Sequence, residues 1–561
     1  MARSDLRADG AGIAQAIEEA ATLFRQGRLA EAEKICTRVL KAKSDTFDAL
    51  HLSGLIKFRG GKPAAALALL ESALKLDPRS AQVLANLGMT LAALGRDAEA
   101  LAAIDRSLAL APGSFEALNS RGNVLLKLDR AAEALAAFEQ AIAREPRFLE
   151  ARLGRGNALV VLGRLEEAVA ECDAVLGALP AHAEAHHNRG NALSGLGRNV
   201  EAIAAFDRAL ALRPGYVKAL IGRGVALHAL NRHQDAIANF DQVLANDRDN
   251  ADAHNNNAMA LLTLGDYRRG FEAYEWRWQR TGMPARRRSF GKPLWLGEYP
   301  LSRKTILLHA EQGLGDTIQF VRYAPLLARS GAKVVLEAPP ALKPLLERVA
   351  GVASVHARGE ALPAYDVHCP LGSLPRALRT ERATVPADMP YLKAGEERIA
   401  KWRARLASLP APRIAVAWSG SAAHVNDRNR SIALARLEPL LSLDHVSFMS
   451  IQRDLREADA EVLARLPRLT HLGAELDDFD DTAAVVSLAD VVVSVDTAVV
   501  HLAGALARPT WILVPFCPDW RWGLDREDAP WYPSARLFRQ GAPGDWDGVI
   551  ARVREALSRL P

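Results

Sequence analysis

Apolar and polar positions follow two different rhythms along the chain. Up to about Tyr274, small and apolar residues recur at helical spacing, and the whole pattern repeats every 34 residues. From Lys304 onward, short apolar runs rich in β-branched residues alternate with amphipathic segments, which is typical of parallel α/β layers. The sequence therefore predicts an all-α first half followed by an α/β second half.

Glycine, alanine and proline carry the 34-residue period. A small residue lets two helices cross closely, and proline ends the second helix of each pair. The markers are Gly54, Gly88, Gly122, Gly156, Gly190 and Gly224, then Ala66, Ala100, Ala134, Ala168, Ala202 and Ala236, and Pro78, Pro112, Pro146, Pro180 and Pro214. The pattern resembles the tetratricopeptide repeat family from Ile13 to Tyr274, and this resemblance implies a superhelix of about eight helix pairs.

A recurring primary amide marks the first helix of the repeats. An amide both donates and accepts hydrogen bonds, so a row of amides could hold the backbone of an extended peptide. Asn123, Asn157 and Asn191 share one repeat position, and Asn86, Asn188 and Asn256 stand three residues earlier on the same helical face. The arrangement is similar to the asparagine ladder of the O-linked N-acetylglucosamine transferases. The alternative is a solvated polar face, which any such solenoid shows.

These patterns predict four segments. The repeat superhelix is expected over residues 13–280, and a linker that docks it onto the next domain over residues 281–303. A proline-containing segment divides the α/β part, so one Rossmann-like half is expected over residues 304–396 and a second over 410–561. Two doubly wound halves that face each other across a cleft would bind ligands at the carboxyl ends of their strands.

The stretch HAEQGLGDTIQF, residues 309–320, joins an apolar strand to a helix. Gly313 and Gly315 would allow a bound acceptor to come close to the backbone. The carboxylate of Asp316 would repel a phosphate at this helix start, but it could accept the proton of an acceptor hydroxyl. The alternative is that Asp316 merely caps the helix.

The second half carries another group of candidate residues. Asp496 and Thr497 end an apolar run at a helix N-terminus, where free amides favour an anion, and His501 lies one turn further on. Arg430, in the loop HVNDRNRSIAL, could neutralise a diphosphate leaving group. The Asp-Phe-Asp motif at residues 478–480 is better explained as a helix cap than as a manganese site, so no metal is predicted.

Together these motifs resemble the ADP-heptose-type bacterial glycosyltransferases over residues 304–561. Those are inverting enzymes of the two-Rossmann glycosyltransferase B (GT-B) fold, and the resemblance implies the same fold here. It also implies that Asp316 is the catalytic base and that Arg430 and the Asp496–Thr497 turn contact the donor diphosphate. The residues that follow Arg430 and the turn depart from the family pattern, which leaves the donor sugar open.

The sequence thus predicts an inverting, metal-independent glycosyltransferase that takes a nucleotide-sugar as substrate and needs no cofactor. Its acceptor is expected to be a protein or peptide held by the repeats. Flagellin-like acceptors are suggested by analogy, because bacterial proteins that pair these two modules resemble flagellin-modifying enzymes. Two alternatives stay open: a non-catalytic repeat scaffold with a degenerate α/β domain, and a nucleotide-sugar epimerase.

Charge and cysteine content narrow the expected partners and compartment. A formal net charge of +5 over 561 residues is small, so nucleic acid is not expected. Four cysteines without a CxxC pair indicate a reduced, cytoplasmic protein. The most apolar stretch, residues 482–507, contains two aspartates and a histidine, so no membrane span is expected.

Overall fold

A computed structural model of the chain describes residues 10–280, 288–424 and 426–560. The chain divides into two compact units, one up to Gly222 and one from Arg223 onward. The first unit is helical, and the second contains the last repeats together with two β-sheets. The predicted change from an all-α solenoid to an α/β region is confirmed, whereas residues 281–287 of the predicted linker lie outside the described residues.

Helix pairs follow one another at the repeat spacing, as the glycine and proline positions predict. In the first unit, each first helix of a pair also contacts the first helix of the next pair from α1 to α11. The helices are α1 Gly10–Arg25, α2 Leu29–Ala42, α3 Phe47–Arg59, α4 Pro63–Leu76, α5 Ala81–Ala93, α6 Asp97–Leu110, α7 Phe115–Lys127, α8 Ala131–Arg144, α9 Leu149–Val161, α10 Leu165–Ala178, α11 Ala183–Gly195, α12 Asn199–Leu212, α13 Val217–Ala229, α14 His233–Asn246, α15 Ala251–Thr263 and α16 Tyr267–Tyr274. A 3-10 turn, Glu275–Gln279, ends the array.

The repeat glycines lie where the two helices of a pair cross. A Cβ at Gly122 would come within 2.6 Å of the ring of Phe138, and one at Gly154 in the next repeat within 2.3 Å of the same ring. One large side chain therefore fills the space that two glycines leave. The same collision occurs between Gly54 and Leu70, Gly88 and Ile104, and Gly190 and Phe206.

Gly156 is the exception among these glycines. Its counterpart sixteen residues later is Cys172 in place of a bulky residue. A Cβ at Gly156 would meet Cys172 and its neighbours at 3.7–3.8 Å, which is ordinary van der Waals contact. The helix pair that contains Gly156 therefore has room for an added methyl group. The crossing of Gly122 and Phe138 does not.

The two positions therefore predict opposite effects of one substitution. Gly122→Ala should lower the free energy of unfolding by about 1–3 kcal/mol, because it overpacks the crossing at Phe138. Gly156→Ala should leave it unchanged or raise it by up to about 1 kcal/mol, because alanine favours helix over glycine. Urea denaturation followed by far-UV circular dichroism measures both. Equal losses in the two variants would contradict the explanation that the repeat glycines make room for a bulky side chain at the helix crossing.

The second unit contains a four-stranded and a seven-stranded sheet. The four strands pair in the order β3-β2-β1-β4, all parallel, and the seven in the order β10-β11-β9-β8-β5-β6-β7, parallel except for β10 with β11. The strands are β1 Thr305–His309, β2 Lys333–Ala338, β3 Val352–Ala357, β4 Val367–Pro370, β5 Arg413–Ala417, β6 Ser447–Ser450, β7 Leu469–His471, β8 Val491–Val495, β9 Thr510–Val514, β10 Asp528–Ala529 and β11 Tyr532–Arg539.

Each sheet has a point where the strand order reverses. In the first sheet the reversal lies between β1 and β4, and in the second between β5 and β8. In doubly wound sheets a ligand crevice opens there, at the carboxyl ends of the strands. The helices of this unit beyond the repeats are α17 Leu314–Phe320, α18 Ala324–Arg329, α19 Lys343–Leu346, α20 Leu374–Ala377, α21 Glu396–Arg405, α22 Asp427–Arg430, α23 Leu434–Leu441, α24 Glu457–Leu463, α25 Phe479–Ser487, α26 Ala498–Ala505 and α27 Trp546–Leu557.

The buried cation Arg322 lies between the two halves of the α/β region. Arg322 is 3% exposed and donates to the carbonyl oxygens of Trp531, at 2.7 Å, and Pro386, at 3.1 Å. Its guanidinium also lies 4.6–5.3 Å from the ring centres of Tyr391, Trp531 and Tyr532. Aromatic faces and carbonyl oxygens thus stabilise the charge where the halves meet.

The last repeat packs on the second α/β half through aromatic side chains. Trp520 lies edge-on against Tyr267 and Phe271 of α16, with ring centres 5.9 and 5.4 Å apart. The indole N–H of Trp531 donates to the Tyr267 hydroxyl at 3.0 Å. Trp520, Trp522 and Trp531 are all buried, so these tryptophans pack the core.

Candidate functional site at the facing strand ends

Asp316 stands in the first turn of α17, directly after β1. Its Oδ2 accepts a hydrogen bond from the backbone N–H of Gly313 at 3.1 Å, so the carboxylate caps the helix as the simpler interpretation expected. Its Oδ1 is paired with the guanidinium of Arg521. The side chain remains about one-quarter exposed. The carboxylate therefore caps the helix and is still exposed enough to accept a proton from a bound hydroxyl.

Gly315 lets α17 lie directly against α26. A Cβ at this position would come within 2.7 Å of His501 Cδ2 and 3.4 Å of Ala498 Cα. The close approach that the glycine permits is thus an approach of two helices, one from each half. Gly313 is exposed at the start of α17. The role of both glycines in holding an acceptor stays a prediction.

Arg521 is the residue of this site that the sequence reasoning missed. Its buried guanidinium bonds Asp316 and the side chain of Gln319 on α17, and it donates to both carboxylate oxygens of Asp519 at 2.9 and 3.1 Å. Burial alone would lower the pKa of Arg521, but Asp519, Asp316 and Asp496 raise it above its ordinary value. A permanent cation therefore joins carboxylates from both halves.

Arg430 and the Asp496–Thr497 turn converge where the order of the second sheet reverses. Arg430 ends α22 after β5, and the turn follows β8, the neighbouring strand. Arg430 Nη1 donates to the backbone oxygen of Asp496 at 3.0 Å, and a Cβ at Gly420 would come within 2.5 Å of Arg430 Nη2. The Thr497 hydroxyl caps α26 by accepting from the N–H of Val499 at 3.4 Å. The structure thus places these predicted donor-binding residues together.

The carboxyl group of Asp496 is electrostatically unusual. Burial raises its pKa to about 7, and the nearby Asp519 acts in the same direction, against Arg521 and Arg430. The neutral form of this carboxyl group is therefore more favoured than that of an ordinary aspartate. In its neutral form the group repels an incoming phosphate less than a carboxylate does.

His501 lies on the inner side of α26. It is 5% exposed, its Nδ1 is 2.9 Å from the Tyr532 hydroxyl, and its ring stacks on Trp522. Burial lowers its pKa well below the ordinary value, and the cations Arg521, Arg322 and Arg430 add to this effect. The neutral imidazole of His501 packs against Gly315 and so helps to position α17 and α26. A contact of His501 with the donor stays a prediction.

The predicted asparagines differ in what their side chains do. Asn123 and Asn191 are exposed, and Asn157 is half-buried. Asn191 Nδ2 lies 3.0 Å from the Nε2 of His187 on the same helix. These three amides remain the candidate peptide contacts.

The three asparagines one turn earlier are less available to a ligand. Asn86 Nδ2 is 2.8 Å from His51 Nε2, and Asn188 is 6% exposed. Asn256 is half-buried. By repeat register they share the position of Gly154, which faces the bulky residue of the preceding helix. Packing explains this set at least as well as binding does.

The Asp-Phe-Asp motif is a helix cap, as expected. Asp478 Oδ1 accepts from the N–H groups of Asp480 and Asp481 at 2.8 and 3.0 Å at the start of α25. Asp480 in turn pairs with Arg348. Among the residues that the structure describes, no three His, Cys, Asp or Glu side chains are grouped so that they could hold a metal ion.

Two family models match parts of the chain. A tetratricopeptide repeat model matches residues 51–115, 119–183, 187–238 and 229–276. The model of glycosyltransferase family 9 (heptosyltransferase) matches residues 444–513, which include Asp496, Thr497 and His501. The chain therefore carries tetratricopeptide repeats and, over residues 444–513, a stretch similar to glycosyltransferase family 9.

One known protein is similar to part of the chain. Over 326 residues the chain is 28% identical to Protein FlbA of Caulobacter vibrioides, and the match covers 54% of each protein. The chain thus spans about half the length of this relative.

In the described residues, no helix is both long and apolar enough to cross a membrane.

Two solved structures of tetratricopeptide repeat proteins are similar to part of the chain. A tetratricopeptide repeat protein from Parabacteroides merdae is 20% identical over 45% of this chain and all of its own, with a TM-score of 0.39. YrrB, described as a TPR protein with an unusual peptide-binding site, is 24% identical over 33% of this chain and 95% of its own, with a TM-score of 0.28.

Proposed function

We propose that this chain is an inverting, metal-independent glycosyltransferase that moves a sugar from a nucleotide-sugar donor to a hydroxyl of a protein held by the repeats. The observation that carries the proposal is the arrangement at the two facing strand ends. Arg430 and the Asp496–Thr497 turn meet at the reversal point of the second sheet. Arg521 ties the Asp316 carboxylate of the first half to this second half.

In the proposed reaction, Asp316 acts on the acceptor and Arg430 acts on the leaving group. The acceptor oxygen attacks the anomeric carbon and its proton passes to Asp316, while the bond from that carbon to the diphosphate oxygen breaks. The electron pair leaves with the nucleoside diphosphate. Arg430 and the N-terminal amides of α26 stabilise the charge that develops on it, so arginine and amide dipoles take the part that a metal plays elsewhere. Attack from the face opposite the leaving group inverts the sugar configuration.

The acceptor side of the proposal rests on the repeat array. Asn123 and Asn191 present exposed amides at one repeat position, and extended peptides have free backbone donors and acceptors for such groups. A protein acceptor, for which flagellin-like proteins are one candidate class, fits this surface better than a lone sugar does. The four free cysteines fit a reducing compartment such as the cytoplasm, where nucleotide-sugars are available.

Asp316→Asn tests the base. Asparagine caps helices about as well as aspartate, so α17 should persist and donor affinity should hold. Transfer should fall by about 10²–10⁴-fold, the usual contribution of a positioned base. Radiolabelled sugar transfer at saturating donor measures this loss.

Asp519→Asn is the matched variant, because it also removes one carboxylate beside Arg521 but leaves Asp316 in place. It should lower transfer far less than Asp316→Asn does. A similar loss in both variants would show that the balance of charge around Arg521, and not proton removal by Asp316, controls the rate.

Donor affinity should depend on Arg430 and not on a divalent metal. Arg430→Ala should weaken nucleoside diphosphate binding by about 10–100-fold, since a charged hydrogen bond contributes about 1.5–3 kcal/mol. Isothermal titration calorimetry of both proteins measures the effect of Arg430→Ala on affinity. Repeating the titration of the unaltered chain with a chelator shows whether binding needs a metal. Lost affinity after chelation would contradict the leaving-group chemistry proposed above.

The repeat surface should govern acceptor affinity alone. Changing Asn123, Asn157 and Asn191 together to alanine should raise the acceptor KM, because three amide contacts with the peptide are lost. Nucleotide affinity should remain that of the unaltered chain. Replacing Asn86 and Asn188 provides the comparison: those variants should lose stability and not acceptor affinity. An unchanged acceptor KM in the triple variant would remove the asparagine row from the proposal.

A further inference from the structure

The crevice of the first α/β half is occupied by the end of the repeat array. The order of the first sheet reverses between β1 and β4, so a ligand crevice is expected between the loops that follow these strands. Glu311 follows β1, and Gly372 and Ser373 follow β4. The side chain of Arg277, from the 3-10 turn after α16, enters between these loops and is 4% exposed.

Arg277 bonds both loops at once. Its Nη2 donates to Glu311 Oε1 at 3.1 Å and to the Ser373 hydroxyl at 2.8 Å. The N–H of Gly372 donates to the same Glu311 oxygen at 3.1 Å. Arg277 Nη1 donates to the Glu275 carboxylate at 2.9 Å. The array therefore fills this crevice with a buried cation that the carboxylates of Glu311 and Glu275 neutralise.

Tyr274 makes a second connection to the same loop. Its hydroxyl accepts a hydrogen bond from the side chain of Gln312, the residue after Glu311. The ring of Tyr274 also lies 4.6 Å from the guanidinium of Arg277. Gln312 directly precedes Gly313, whose N–H bonds the carboxylate of Asp316. A continuous set of contacts thus runs from the last turn of the array to the candidate base.

We propose that Arg277 and Tyr274 are positioning residues: the last turn of the repeat array holds the loop of residues 310–313 in the orientation that places Asp316 for reaction. This inference rests on the proposed function. The array then does more than present an acceptor, because the first α/β half obtains its working loop geometry only with the array attached.

The inference is tested in the full chain with two variants and a control. Tyr274→Phe removes only the hydroxyl that accepts from Gln312. Arg277→Met combined with Glu275→Gln and Glu311→Gln removes the cation together with both of its carboxylate partners, so no charge is left unpaired. Arg280→Met is the control, because Arg280 lies on the same segment but pairs with Asp252 at the surface.

The first measurement is hydrogen–deuterium exchange over residues 310–320, which is independent of activity. Exchange should become about fivefold to tenfold faster in both variants, the factor expected for one lost hydrogen bond, and should not change in Arg280→Met. Unchanged exchange in both variants, or an equal rise in the control, would overturn the inference.

The second measurement is turnover of the nucleotide-sugar whose diphosphate raises the melting temperature most in a panel of ADP, CDP, GDP and UDP. Both variants should lose about tenfold to a hundredfold in kcat, because a misplaced base costs rate, while diphosphate affinity stays that of the unaltered chain. Faster exchange with unchanged kcat would overturn the positioning role. Faster exchange in a chain that never turns over any donor would instead refute the proposed function and leave the loop contact standing.

Discussion

The arrangement of the candidate site depends on one buried cation, Arg521. A guanidinium out of water is tolerated only with carboxylates and hydrogen-bond acceptors around it, and here these come from both α/β halves. Asp316 and Gln319 supply them from α17, and Asp519 from the loop that holds Arg521. Movement of either half away from the other would leave a charge unpaired, so the cleft geometry and the orientation of the Asp316 carboxylate are fixed together.

Small residues make this arrangement sterically possible. Gly315 lets α17 reach α26, and Gly420 leaves space for Arg430 beside the Asp496 turn. The repeats use glycine in the same way: Phe138 fills the space left by both Gly122 and Gly154. In each case a side chain from another element occupies the space that the missing Cβ leaves, so the glycine and its partner form one packing unit.

The repeats and the α/β layers were predictable because their signals are local: helical spacing, a 34-residue period, and short β-branched runs. The meeting of Arg430 with the Asp496 turn followed from the general rule that parallel strands end at one edge of the sheet. Arg521 was not predictable, since it lies 205 residues from Asp316 and nothing around it in the chain marks it as a partner. The contact of Asn86 was hidden too, because its partner His51 lies in another helix.

The division of the chain at Gly222 has a consequence for how such proteins change over evolutionary time. Repeats that contact only their neighbours can be duplicated or deleted in whole 34-residue steps without disturbing the rest. That freedom belongs to the first compact unit. The last repeat, by contrast, packs on the α/β region: Tyr267 and Phe271 lie against Trp520, and Arg277 lies in the crevice of the first half. Relatives of this chain should therefore vary in repeat number on the amino-terminal side and inherit the final repeat and the α/β region as a single block.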